Sequence, residues 1–394
     1  MGIDFCEVAS GYLDELSARG VEIDANRALP QDIADRLAAD GFYRLCTPTE
    51  LGGIGAPPRL LAEVCEILAM GNGSTAWCVF IGATSQYMFP AASSQLLQQL
   101  LDNPNVITSG VFAYSGTASQ LSLGTSPTWK INGRWDWGSG CRNAEWISGG
   151  VILCDVEGVP IPDGHDRPTE ARAFFRPGEI NILDNWNTSG LRGSGSNAYT
   201  AQDVELDDYR VATVDALRAS PLSELPIYRF PRFGYLALPI GAIALGMARA
   251  SIDEALIVAK AKTPTGSGRT LSARPAFHRE VAVADASLRA ARSVFYADIQ
   301  TAWDEAQQQI GGLETRRLLR TSTVHAVSTS IDVVDRMYTA AGGTSVYEES
   351  PLQRHFRDVH VASQHMMVAE PVMELAGRVM SDIENNALGA IKGF

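Results

Sequence analysis

The sequence predicts an α+β fold of three units in order: an N-terminal helical domain over 1–105, a central β-domain over 106–217 and a C-terminal four-helix bundle over 218–394. Three observations predict it. Apolar residues recur at helical spacing through the first unit; short runs rich in β-branched and aromatic residues, separated by turn residues, fill 106–215; beyond Pro221 the helical period returns. No internal repeat, low-complexity tract or like-charge block interrupts this order.

In LPQDIADRLAADG, Pro30 suits the first turn of a helix, Ile33 and Leu37 share a face, and Gly41 suits a left-handed cap. After the loop ELGGIGAPP, residues Leu60, Leu61, Val64, Ile67 and Leu68 keep helical spacing, and Ser74 is the expected cap of a further helix through Trp77 and Phe80. GGIGAP has the look of a dinucleotide loop, but no strand precedes it, so it is read as a plain loop. In the second unit, VITSGVF, TWKINGRWDW, EWISGGVIL, ARAFF and DVELDDYRV read as strands, and the Asn-Gly pair of KINGRW predicts a hairpin turn. In the third, Val281, Leu288 and Phe295, then Val324, Val327, Ile331, Val334 and Met337, mark long helices.

A chain of 394 residues that is 45% hydrophobic can bury a large core. Its 32 basic and 45 acidic residues give a net charge of −13, with the basic residues dispersed, which argues against nucleic acid as a partner. No apolar run of bilayer length and no signal-peptide pattern is visible, so a cytoplasmic protein without membrane contact is expected. The cysteines Cys6, Cys46, Cys65, Cys78, Cys141 and Cys154 have no paired short spacing and read as small buried hydrophobes.

Four stretches, FAYSGTAS at 112–119, GRWDWGSGCRNAEW at 133–146, RPAFHREVAVADASL at 274–288 and AAGGTSVYEESPLQRHFRDVH at 340–360, together resemble the acyl-CoA dehydrogenase superfamily. The resemblance implies that family's fold, with a β-barrel-like middle domain, and a flavin cofactor. It places Trp137 and Ser139 beside the flavin ring, with the Ser139 hydroxyl on N5; Ser115 on the ring; and Tyr114 where substrate is met. It implies that Arg274 and Phe277 reach the cofactor phosphate of a neighbouring subunit, that Gly342 and Gly343 let the backbone approach the nucleotide, and hence a homotetramer. Arg192 and Ser194 are read as structural, and Trp186 as a residue that could close over the flavin.

One departure decides the expected reaction. The family's dehydrogenases take an α-proton with a carboxylate, commonly nine residues after the arginine of an Arg-Asp pair; counted from Arg357 and Asp358, that position holds Met366, which cannot accept a proton. His365 stands beside it. This arrangement is similar to the two-component flavin-dependent monooxygenases that share the scaffold, which take FMNH2 or FADH2 from a separate reductase and use O2 to oxygenate a small aromatic or amine substrate through a C4a-hydroperoxyflavin. His365 is then the expected base that draws a proton from substrate, with Ser139 holding N5. Two other readings stand beside it: an FAD-containing acyl-CoA dehydrogenase whose base has moved to Glu254, and a silent scaffold without flavin affinity. His355, His360 and His365 are five apart, which spreads them around a helix, so no metal site is expected. Asp358, next to Arg357, is expected to belong to a structural ion pair, and Glu348 and Glu349 to a solvated turn.

Overall fold

The structure, a computed structural model, describes residues 2–121 and 127–381. Seven helices open the chain: α1 (Phe5–Ser10), α2 (Leu13–Ala18), α3 (Gly20–Asn26), α4 (Gln31–Ala39), α5 (Pro58–Gly71), α6 (Gly73–Ser85) and α7 (Ser94–Leu101). Seven strands follow: β1 (Thr108–Gln120), β2 (Thr128–Gly138), β3 (Trp146–Cys154), β4 (Glu170–Phe175), β5 (Asn181–Ile182), β6 (Asn197–Asp207) and β7 (Val211–Thr213). Then come α8 (Val214–Ala219), α9 (Pro226–Arg229), α10 (Arg232–Ala261), α11 (Pro275–Gln307), α12 (Leu313–Ala341), α13 (Pro351–Ala362) and α14 (Pro371–Met380). The expected bundle sequence from 382 to 394 lies outside the described residues.

Local chemistry explains the helix ends. Gly41 follows α4 with φ of 87°, a left-handed position that costs glycine nothing. The cap of α6 is Asn72 rather than Ser74: Asn72 has extended backbone, and its side-chain oxygen accepts from the Thr75 amide at 2.9 Å. Ser74 already lies inside the helix.

The strands form one sheet in the order β5-β6-β2-β1-β3-β4-β7, with β1 and β3 parallel and the other pairs antiparallel. The expected hairpin at Asn132-Gly133 is absent, because β2 runs straight through it between two partners, Gly133 facing Gly116 of β1 and Ala201 of β6. The positive φ of the local bulge falls on Asp203 of β6 at 50°, whose amide donates to Asn132 Oδ1 at 2.9 Å. Glycine is needed at 133 for another reason. A Cβ there would stand 2.7 Å from the Trp135 ring and 2.8 Å from Gly116 Cα. Trp135 is fully buried and donates to the Gly150 carbonyl at 2.9 Å, so it is the sheet's packing aromatic.

The bundle has three long helices, α10, α11 and α12, and a fourth broken into α13 and α14. Among the described residues, α10 alone is long and apolar enough to cross a bilayer, contrary to the expectation that no apolar run reaches that length, but 89% of its most apolar stretch is buried inside the protein. It is the central core helix. α5 lies so close against it that a Cβ on Gly246 would meet the Glu66 carbonyl oxygen at 2.1 Å. The Glu66 carboxylate also accepts from Arg292 Nε at 2.7 Å and from the Tyr296 hydroxyl at 2.5 Å, tying α5 to α11.

A second buried junction positions α13. Arg357 donates to Asp24 of α3 at 2.8 Å and to the Ser189 carbonyl at 2.5 Å. The structural ion pair expected at Asp358 is not formed among the described residues, because Arg354 and Arg357 of the same helix face Asp24 instead. The Asp358 carboxylate accepts from the Leu191 amide at 2.6 Å, and burial pushes its pKa upward.

Candidate active site

The break between α13 and α14 places His365. The residue caps the short turn Met366–Val368, and its Nδ1 accepts from the Met367 amide at 3.2 Å. The carbonyl of the same Met367 accepts from Arg320 at 2.8 Å, so the turn is held from both sides. His365 is half-buried, and burial followed by the Arg320 charge lowers its pKa to about 4. Burial likewise lowers Arg320 to about 10.

These facts describe the ring that any role of His365 would use. With Nδ1 committed as an acceptor, the neutral ring carries its proton on Nε2 and presents a donor. A conjugate acid near 4 also makes it a weak base at neutral pH. The residue caps a turn instead of standing within a long helix, which sequence spacing did not reveal. His355 is buried in α13 with a pKa lowered to about 3 by burial, and His360 pairs with Asp335 at 3.0 Å.

Ser139 follows β2 and is buried. Its hydroxyl accepts from Trp77 Nε1 at 3.1 Å and lies 2.6 Å from the Ser196 hydroxyl, while its carbonyl accepts from the Ser109 hydroxyl at 2.7 Å. Trp77, on α6, also meets the His365 ring edge-to-face with centroids 5.9 Å apart. One indole therefore joins the two predicted catalytic residues, which lie more than 200 residues apart in the chain. Neither Trp77 nor Ser196 was expected from sequence. The available signal was a tryptophan in a helix buried on all sides, whose N–H must find a partner.

Trp137 takes φ of 64° and is 73% exposed, a backbone state that bulky residues avoid. Tyr114 and Ser115 lie in the irregular stretch of β1 between Val111 and Gly116. Tyr114 lines a cavity of about 660 Å³ and burial raises its pKa, whereas Ser115 is exposed. Arg274 is half-buried at the start of α11, but Phe277 packs into its own chain's core. Gly342 ends α12 with φ of 66° and ψ of −157°, a conformation essentially reserved for glycine, and Gly343 is exposed beside it. Trp186 and Ser194 both donate to the Leu191 carbonyl, and Arg192 to the carbonyls of Asp24 and Thr188.

The cavity lies between the β1–β4 side of the sheet and the start of the bundle. Tyr114, Tyr228, Phe230 and Phe233 supply apolar wall, and five arginines face three carboxylates. Arg167 and Arg218 are paired with the lining residues Asp163 and Asp215, Arg229 is paired with Glu224 outside the lining, and Glu170 is the third lining carboxylate. Arg232 and Arg316 have no carboxylate partner among the described residues. Ser139 and His365 are outside its lining, yet Arg316 is one helical turn before Arg320, which supports the His365 turn.

Glu254 does not replace the missing carboxylate. α6 runs antiparallel to α10, with Gly73 against Met247 and the Tyr87 ring against Tyr235. Glu254 follows Met247 by seven residues, about 10 Å along the axis and away from Trp77. The residues present fit a flavin: a buried hydroxyl at Ser139, an exposed ring at Trp137 and glycine-only backbone at Gly342.

Comparison with known proteins agrees. The acyl-CoA dehydrogenase N-terminal domain model matches residues 7–101, and the acyl-CoA dehydrogenase C-terminal domain model matches 238–370. The chain is 27% identical over 364 residues to indole-3-acetate monooxygenase of Pseudomonas putida, covering 91% of this chain and 89% of that one. It is 29% identical over 373 residues to the flavin-dependent monooxygenase oxygenase subunit HsaA of Rhodococcus jostii (strain RHA1), covering 90% and 91%. The crystal structure of 3-HSA hydroxylase from Rhodococcus sp. RHA1 superposes with a TM-score of 0.82 at 25% identity, covering 94% of this chain and 95% of that chain. With both domain models matched over more than half of its length, the chain belongs to the acyl-CoA dehydrogenase family, in its branch of flavin-dependent two-component monooxygenases.

Proposed function

We propose that this protein is the oxygenase component of a cytoplasmic two-component system that oxygenates a small aromatic substrate carrying an acidic group, working as a homotetramer of three-unit chains divided near 105/106 and 217/218. Reduced flavin from a separate reductase, FMNH2 or FADH2, supplies the activation of O2 when bound. The observation that carries the reading is the shared contact of Trp77 with Ser139 and His365.

In this reading Ser139 holds flavin N5 and Trp137 covers the ring. The neutral His365 donates from Nε2 to an oxygen or nitrogen of the substrate and orients it, rather than removing its proton. Tyr114, Tyr228, Phe230 and Phe233 supply the apolar wall against which the aromatic ring of the substrate packs. The unpaired Arg232 and Arg316 favour an acidic substituent, in a protein whose overall charge of −13 would otherwise repel one. Indole-3-acetate, the substrate in the name of one relative, is an aromatic acid of this kind. Arg274 and the Gly342–Gly343 turn serve the cofactor across subunits, and the six free cysteines suit a reducing compartment.

The test mixes the protein with anaerobically reduced flavin, adds O2 with an aromatic acid or its methyl ester, and measures oxygenated product. The acid is expected to be turned over with the lower KM, and Arg232→Ala to raise that KM about tenfold or more, the scale of a lost charged hydrogen bond. Product that requires acyl-CoA, or a protein that reduces bound FAD with acyl-CoA, would return the chain to dehydrogenase chemistry.

A further inference from the structure

Three serines and a backbone carbonyl settle which way the proton on Ser139 points. Ser194 donates its hydroxyl to the Leu191 carbonyl at 2.7 Å. A hydroxyl has one proton, so Ser194 can only accept from Ser196, whose oxygen lies 2.7 Å away. Ser196 thus has its proton directed to Ser194 and can only accept from Ser139, 2.6 Å away. Reversing any member would leave two oxygens in hydrogen-bond contact with no proton between them, in a buried place where that is costly. The start of the chain has the same sense, because Trp77 Nε1 can only donate and does so to Ser139.

Ser139 therefore accepts from Trp77, donates to Ser196 and keeps one lone pair. It has no proton to offer a ligand. We infer that the Trp77–Ser139–Ser196–Ser194–Leu191 hydrogen-bond chain makes the site selective for the redox state of the flavin, with Trp77, Ser194 and Ser196 as positioning residues. Reduced flavin carries a proton on N5 and presents a donor, which the remaining lone pair accepts. Oxidised flavin presents only a lone pair there, and two acceptors would face each other. This rests on the proposed contact between Ser139 and N5. The chain also ends on an amide carbonyl, which does not take up a proton at neutral pH, so it gives the N5 proton no route of escape. An oxygenase supplied by a separate reductase gains from both properties: spent flavin leaves, and fresh reduced flavin is kept.

The experiment measures dissociation constants for reduced flavin, under anaerobic conditions, and for oxidised flavin, using FMN and FAD on the purified protein. The wild type is expected to bind reduced flavin at least tenfold more tightly. Ser196→Ala leaves the Ser139 proton free to turn outward, so oxidised flavin should bind more tightly and the preference fall roughly tenfold, the scale of one hydrogen bond. Ser196→Thr, which keeps the hydroxyl, should restore it. Ser194→Ala, one hydroxyl further from the site, should lower the preference by a smaller factor and serves if the first variant does not fold. A preference unchanged in both alanine variants, while Ser139→Ala weakens reduced flavin, would overturn the selectivity mechanism and leave the N5 contact standing. If Ser139→Ala changes neither affinity, the contact itself is wrong and the inference goes with it.

Discussion

His355 and His365 are both held neutral, and the consequences differ with what each touches. His355 is enclosed in α13 and its proton affinity is lowered to a pKa of about 3, against about 6.5 in an unfolded chain. Between those values the unfolded chain binds the additional proton, so stability falls as the pH is lowered through this window. Thermal unfolding from pH 7 to pH 4 should show a falling melting temperature, and a His355→Leu variant should show a shallower fall; an equal slope would remove His355 as a cause. For His365 the same physics bears on activity. A pKa of about 4 keeps it neutral from pH 6 to pH 8, so no activity limb near 6.5 should arise from it. His365→Ala should lose about tenfold to a hundredfold in product formed per flavin consumed, while His365→Gln, which retains an N–H donor, should keep the larger share. Which residue sits at 365 was legible in the sequence; its tautomer was not, because that depends on the Met367 amide in a turn with no periodic signature.

At the scale of elements, the glycines and bulges position the site. Gly246 allows α5 to lie against α10, and Gly246→Ala would bring a methyl group to 2.1 Å from the Glu66 carbonyl. Overpacking of this kind costs about 1–3 kcal/mol and sometimes more, and here the obstacle is backbone that cannot rotate aside. Denaturant unfolding should show the loss, together with weaker flavin binding if α6 shifts with α5 and carries Trp77 away. The helices were readable because a 3.6-residue period is written in neighbouring residues. The Asn132-Gly133 pair misled because the same dipeptide suits a two-residue turn and a bulged central strand, and the choice was made by β1 and β6 on either side. The paired aromatics of WDW were separated by the same means. Trp135 enters the sheet core, and the irregularity before Gly138 turns Trp137 outward.

For the whole molecule, the clearest expectation is assembly. Light scattering should give four times the chain mass, and an Arg274→Ala variant should keep that mass while binding flavin more weakly, since its side chain stands near the surface whereas Phe277 serves its own core. A monomer that binds flavin as tightly as the wild type would refute the shared cofactor site. The sequence by itself determined the order of helices, strands and helices, the family, and the replacement of the expected carboxylate by Met366 and His365, because each of these is carried by local spacing or by residue identity. Only the tertiary structure decided that Trp77 links Ser139 to His365, that three serines point the Ser139 proton inward, and that Arg232 and Arg316 share a cavity. Those are distances between segments remote in the chain, and such distances are set by how the core packs.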